Sequence, residues 1–226
     1  MINGFDVESY FDNNAKKRSF SELSLNKQNN QPLVNSENEG YDYEDLAKNA
    51  LKQDSFKMVD AVYIKDDKIY FIEFKGGFIQ QINTNTFDHT KWRCVFEDRY
   101  CKEGAEFFKE NQKLKISQLL DSVKGKLLET YFVFNRIIIP QCTIVDKSYK
   151  VYYIAVIDDT EAPIFSIENN LNDLADLKPN QDSPKQRLIN SLKKYDVKDS
   201  EEQPIFFDYI QVWSNYEFLE KICSIS

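Results

Sequence analysis

Asp60, Glu73 and Lys75 are the residues of this 226-residue chain whose types and spacing can do chemistry. Two runs rich in Val, Ile, Tyr and Phe flank Asp66-Asp67, a pair suited to a tight turn, so the segment predicts a β-hairpin. Counting outward from the turn pairs Lys65 with Lys68, Tyr63 with Tyr70 and Ala61 with Ile72, and brings Asp60 opposite Glu73. Opposed side chains on antiparallel strands stand ~5 Å apart at Cβ, and like charges there are destabilising. Alternation puts Ile69, Phe71, Glu73 and Lys75 on one face of the second strand and Tyr70, Ile72 and Phe74 on the other. Both faces are apolar until the charges begin, which predicts a strand covered on both sides. Carboxylates buried there need compensation, because an unpaired buried charge costs several kcal/mol, roughly. A divalent cation between Asp60 and Glu73 would supply it, and without one at least one of the pair is expected to titrate high. The plainer alternative is a solvated hairpin end in which Lys75 neutralises Glu73.

Asp60, followed by Glu73-Phe74-Lys75 at the end of the next strand, resembles the PD-(D/E)xK superfamily of restriction-endonuclease-like nucleases. The resemblance covers roughly residues 40 to 158, with Val59 where the family name has proline. It implies that Asp60 and Glu73, with the backbone carbonyl of Phe74, bind Mg²⁺ or Mn²⁺, and that Lys75 positions or activates the attacking water. The implied activity is divalent-metal-dependent hydrolysis of phosphodiester bonds in DNA or RNA. A second expectation is a catalytically inactive module on the same fold, recruiting a protein partner through the acidic carboxyl-terminal third.

The elements that must position these residues follow from periodicity. Tyr41 to Lys52 predicts a helix with an apolar stripe of Tyr43, Leu46, Ala47, Ala50 and Leu51. Glu44 borders that stripe, and the resemblance implies a metal-binding carboxylate from this helix; pairing of Glu44 with Lys48 at i, i+4 is the competing use. Ala105 to Glu129 is the strongest helical signal, with Ile116, Leu119, Leu120, Val123 and Leu127 on one stripe and Gln112 and Lys109 inside its arc. The superfamily often directs a Gln or Lys from this helix to the active site, which implies Gln112, with Gln118 as the fallback. Thr130 to Pro140 and Tyr149 to Ile157 predict strands, Pro184 to Tyr195 and Ile167 to Leu177 helices, Ile205 to Trp213 a strand and Asn215 to Cys223 a closing helix. The fold class expected is α/β, a restriction-endonuclease-like mixed β-sheet flanked by helices on an α-β-β-α-β core, with N- and C-terminal additions. Residues 1–40 predict a polar appendage and 41–226 one domain, its core at about 41–158 and an extension at 159–226.

Composition sets outer limits. A hydrophobic fraction of 42% is that of a soluble globular chain, and no run approaches the ~20 apolar residues of a membrane span. The amino terminus shows no signal-peptide pattern, which predicts a cytoplasmic protein without a membrane partner. Cys94, Cys101, Cys142 and Cys223 match no zinc spacing and read as packing residues, and His89 lacks a candidate nucleophile partner. The net charge of −8 is unevenly spread: residues 76–150 hold 12 Lys/Arg against 9 Asp/Glu, residues 151–226 hold 7 against 14. The basic surplus follows the candidate active strand, where a phosphate backbone would lie. Arg93, Lys102, Lys109 and Lys113 are the candidate nucleic-acid contacts, with Trp92 and Tyr100 able to stack on bases; a solvated helix face explains the same charges.

Overall fold

The structure, a computed structural model, describes residues 2–26, 30–52, 55–79, 102–158 and 183–223, without the side chains of 102–109 and 112. At its centre lies the expected hairpin of β6 (Ala61–Lys65) and β7 (Lys68–Lys75), closed by Asp66 in a left-handed conformation at φ 54°. Its register is the one obtained by counting, with Lys65 facing Lys68, Tyr63 facing Tyr70 and Ala61 facing Ile72. On its far edge β7 pairs in parallel with the long strand β8 (Thr143–Ile157), which sets Glu73 level with Ala155 and Lys75 level with Ile157.

Around this pair runs a mixed seven-stranded sheet. β5 (Glu39–Asp42) joins β6, β2 (Lys17–Ser19) joins β5, β1 (Ile2–Asp6) pairs antiparallel with the first half of β8, and β9 (Tyr209–Ser214) pairs parallel with its second half. A short hairpin of β3 (Leu25–Asn26) and β4 (Gln31–Pro32) stands apart from it. The helices are α1 (Val7–Asn14), α2 (Phe20–Leu23), α3 (Tyr43–Leu51), α4 (Lys102–Val133), α5 (Pro184–Leu192) and α6 (Asn215–Phe218). Both sheet faces are covered, as the sequence predicts. Ile69, Phe71, Val151 and Tyr153 pack under Val7, Phe11, Tyr43, Val123, Leu127 and Leu188 from α1, α3, α4 and α5. Ile72, Phe74, Ile154 and Val156 pack under Phe20 and Phe218 from α2 and α6. No helix among the described residues is long and apolar enough to cross a membrane.

Three expectations are revised. Residues 1–40 supply two strands of the main sheet and four fully buried side chains, Val7, Phe11, Phe20 and Val34, so they are part of the fold rather than an appendage. Thr130–Pro140 is not a strand: α4 runs on through Val133 into a π turn, Phe134–Ile138, and a 3₁₀ turn, Ile139–Gln141. A short, largely apolar run is ambiguous between strand and buried helix, and the core under the sheet decides it, with Phe134 against Phe71 at 4.8 Å between ring centroids. Tyr41 and Asp42 belong to β5, and the Asp42 side chain caps α3 by accepting the Asp45 N–H at 2.9 Å. The expected helix at Ile167–Leu177 lies outside the described residues.

Candidate active site

Asp60 occupies the residue before β6, and its backbone is tied on both sides. Its N–H donates to the Ile72 carbonyl at 3.1 Å, and its own carbonyl accepts the Tyr43 N–H at 3.3 Å. The side chain is held as well, because Oδ2 accepts the Phe74 N–H at 2.7 Å. Within a strand the N–H and C=O of one residue lie on the same edge, so the Phe74 carbonyl also points to the Asp60 side. Glu73 stands beside it with no solvent exposure. Gly77, at φ 73°, then turns the chain away from the end of β7.

Two lysines face the carboxylates. Lys75 Nζ is 3.1 Å from Glu73 Oε1, the pairing that the sequence offers. The second is Lys126 of α4, whose Nζ is 2.7 Å from Glu73 Oε2 and 3.1 Å from Asp60 Oδ1. Lys126 was not among the candidates from sequence. A signal for it existed: at 3.6 residues per turn it lies ~20° from Leu119 on the helical wheel, at the border of the apolar stripe.

Anchors on either side fix the rotation of α4 and thus the aim of Lys126. Tyr153 donates its hydroxyl to the Val123 carbonyl at 3.2 Å. The buried Thr130 Oγ1 accepts the Val59 N–H at 3.2 Å, and Tyr43 donates to the Thr130 carbonyl at 3.4 Å. The Lys57 N–H also donates to the Glu129 carboxylate.

The electrostatics follow from burial. Burial first, and then the charge of Asp60, push the Glu73 carboxyl up to about 8 against the pull of Lys126 and Lys75. Burial alone lowers Lys126, but the attraction of Glu73 and Asp60 more than offsets it, and its pKa ends raised. Both shifts draw on the same contact. The ammonium is the member that stays charged near neutrality, because it faces two carboxylates whereas Glu73 also bears the repulsion of Asp60. Despite the short ion-pair distances, neither Glu73 oxygen has a hydrogen-bond partner of good geometry.

Those two orphaned oxygens, the Asp60 carboxylate and the Phe74 carbonyl form an all-oxygen donor set. Mg²⁺ and Mn²⁺ suit it, since a hard ion takes one or two carboxylates and keeps several waters. Among the described residues no group of three His, Cys, Asp or Glu side chains gathers at one point, so a protein-only cage for zinc is not found there. A cavity of about 300 Å³ adjoins the set, walled by Asp60, Phe74, Lys75, Leu119 and the segment Leu23–Asn26. Ser24 bolts that segment in place, its hydroxyl accepting the Val34 N–H at 3.1 Å. A larger cavity, about 470 Å³, lies between α5 and β9 and is lined by none of Asp60, Glu73, Lys75 or Lys126; its Lys185 and Glu217 pair with each other at 2.7 Å.

Asp60, Glu73, Phe74 and Lys75 are thus brought together. Glu44 pairs with Lys48 at 2.9 Å on the half-exposed flank of α3, and no ion pair among the described residues links it to the cluster. The Gln112 side chain lies outside the described residues; along α4 its backbone is ~21 Å from that of Lys126 at 1.5 Å per residue. Lys113 is exposed on α4. Arg93, His89, Cys94 and Cys101 and the side chains of Lys102 and Lys109 lie outside the described residues. No family model matches the chain, and no curated protein or solved structure matches it.

Proposed function

We propose that the protein is a cytoplasmic, divalent-metal-dependent nuclease of the PD-(D/E)xK type, hydrolysing phosphodiester bonds of DNA or RNA. One observation carries this reading: the buried Glu73 carboxylate, its oxygens without hydrogen-bond partners of good geometry, stands behind Asp60 and Lys75, which wall a cavity. Among the described residues the element order α3-β6-β7-α4-β8 supports the restriction-endonuclease-like fold, matching the α-β-β-α-β core that the resemblance implies. The free thiols of Cys142 and Cys223 suit a reducing compartment.

Asp60, Glu73 and the Phe74 carbonyl would hold Mg²⁺ or Mn²⁺, which when bound supplies a Lewis acid and a water of lowered pKa. Lys75, one strand step beyond Glu73 on the same face, orients the attacking water or stabilises negative charge developing on phosphorus. The tie from Phe74 N–H to Asp60 keeps the carboxylates in fixed register, so little reorganisation is left for the reaction. Arg93, Lys102, Lys109 and Lys113 remain the candidate contacts to nucleic acid.

The test is cleavage of circular and linear DNA and RNA with Mn²⁺. The parent is expected to cut and Lys75→Ala to lose at least ~10²-fold, while still binding Mn²⁺ because lysine is not a ligand. A Lys75→Ala protein that cuts as fast as the parent removes the assignment. The second reading, an inactive module on this fold, is favoured by a different observation: Lys75 and Lys126 already neutralise Asp60 and Glu73. Its partner would meet the acidic carboxyl-terminal third, and it requires neither Mn²⁺ heat in calorimetry nor cleavage of any substrate.

A further inference from the structure

Lys126 stands where a divalent ion bridging Asp60 and Glu73 would have to bind. Its Nζ lies 3.1 Å from one carboxylate and 2.7 Å from the other, so the ammonium bridges the two groups that the ion needs. It is only 18% exposed and is aimed by the anchored helix, with the Tyr153 bond to Val123 on one side of it and the Val59 bond to Thr130 on the other. Lys126 holds Asp60 Oδ1 and Glu73 Oε2, while Asp60 Oδ2 accepts the Phe74 N–H at 2.7 Å and Glu73 Oε1 faces Lys75 at 3.1 Å, so a metal in contact with both carboxylates competes with the ammonium for their oxygens.

We propose that Lys126 is the resident cation of the Asp60–Glu73 pair, and that a divalent ion enters only by displacing it. This rests on the metal-dependent reading above. Metal affinity is then set by the lysine as much as by the carboxylates, and the apo site is closed to stray cations by its own side chain. The resting protein keeps a neutralised core, and the metal trades places with an ammonium rather than filling a vacancy.

The experiment is Mn²⁺ titration by calorimetry, with melting curves in chelator and in Mn²⁺, on the parent, Lys126→Gln, Lys126→Met and Lys124→Met. Lys124 lies on the same helix but pairs with Asp121 at 2.8 Å, so its variant controls for loss of charge. Lys126→Gln keeps donors for both carboxylates and so protects the fold. Both Lys126 variants are expected to bind Mn²⁺ at least ~10-fold more tightly than the parent, equivalent to about 1.4 kcal/mol, with Lys124→Met unchanged. Adding Asp60→Asn to Lys126→Gln must abolish the gain. A Lys126→Met protein that is unfolded in chelator and folds with Mn²⁺ supports the exchange equally, since the metal then replaces the missing ammonium. If the parent binds Mn²⁺ and Lys126→Gln binds it no more tightly, the exchange is overturned while the metal site stands. If neither the parent nor any variant binds Mn²⁺ at millimolar concentration, the exchange and the nuclease reading fall together.

Discussion

Glu73 is the residue on which pH acts most directly. With its carboxyl raised to about 8 by burial and by Asp60, the native metal-free protein keeps a proton that the unfolded chain releases in the ordinary carboxylate range. Between those two values the native state binds more protons than the unfolded state. Linkage then makes stability fall as pH rises through the window, by at most about 1.4 kcal/mol per unit from this one group. Melting curves in chelator are expected to show Glu73→Gln gaining on the parent steadily from about pH 5 to pH 8, since glutamine has no proton to lose. Parallel profiles across that range would mean that Glu73 is ionised throughout and that the lysines outweigh its burial.

At the scale of elements, α4 aims the site. Lys126 reaches both carboxylates only because hydrogen bonds at Val123 and Thr130 set the helix's rotation against β8 and the entry to β6. Thr130 is the sharper test, being fully buried and holding the otherwise unpaired Val59 N–H. Thr130→Val removes the acceptor and keeps the shape, leaving a buried donor unsatisfied at a cost of about 1–3 kcal/mol. Urea denaturation is expected to show that loss for Thr130→Val and much less for Thr130→Ser, which retains the hydroxyl. Equal stability of the two variants would show that the hydroxyl is not the anchor. Beyond Val133 the π turn carries the same helix into the core, where Phe134 and Ile138 are both buried.

For the molecule as a whole, the amino-terminal 40 residues are the telling part. They close the sheet at β1 and β2, and their segment Leu23–Asn26 walls the cavity at Asp60. Phe20 packs on Phe74 and Phe218 at 6.4 and 5.0 Å, directly behind the active strand. At about 1.5–3 kcal/mol for each buried side chain, Val7, Phe11, Phe20 and Val34 together match the order of a whole domain's stability. A chain beginning at residue 41 is therefore expected to lose cooperative thermal unfolding, read by circular dichroism and calorimetry. A cooperative transition within a few degrees of the parent's would restore the appendage view.

The hairpin register from Lys65–Lys68 out to Ala61–Ile72 was legible in the amino-acid sequence, because a tight turn and a period of two leave one way to count, and so was the pairing of Lys75 with Glu73. The helical stripe of α4 and the covering of both sheet faces were legible for the same reason, each being a local pattern with a fixed repeat. What only the tertiary structure decided are facts about distant segments meeting. Polar, Asn-rich residues 1–40 give little periodicity, yet a few apolar side chains among them find the core once the sheet offers edges and pockets. The run Thr130–Pro140 has β-branched composition, and packing beneath β7 keeps it helical. Lys126 is 53 positions from Glu73 in the chain, and no local repeat links them. The ammonium arrives between the carboxylates because a 32-residue helix, pinned near its end by Tyr153 and Thr130, can lie against the sheet in one rotation only.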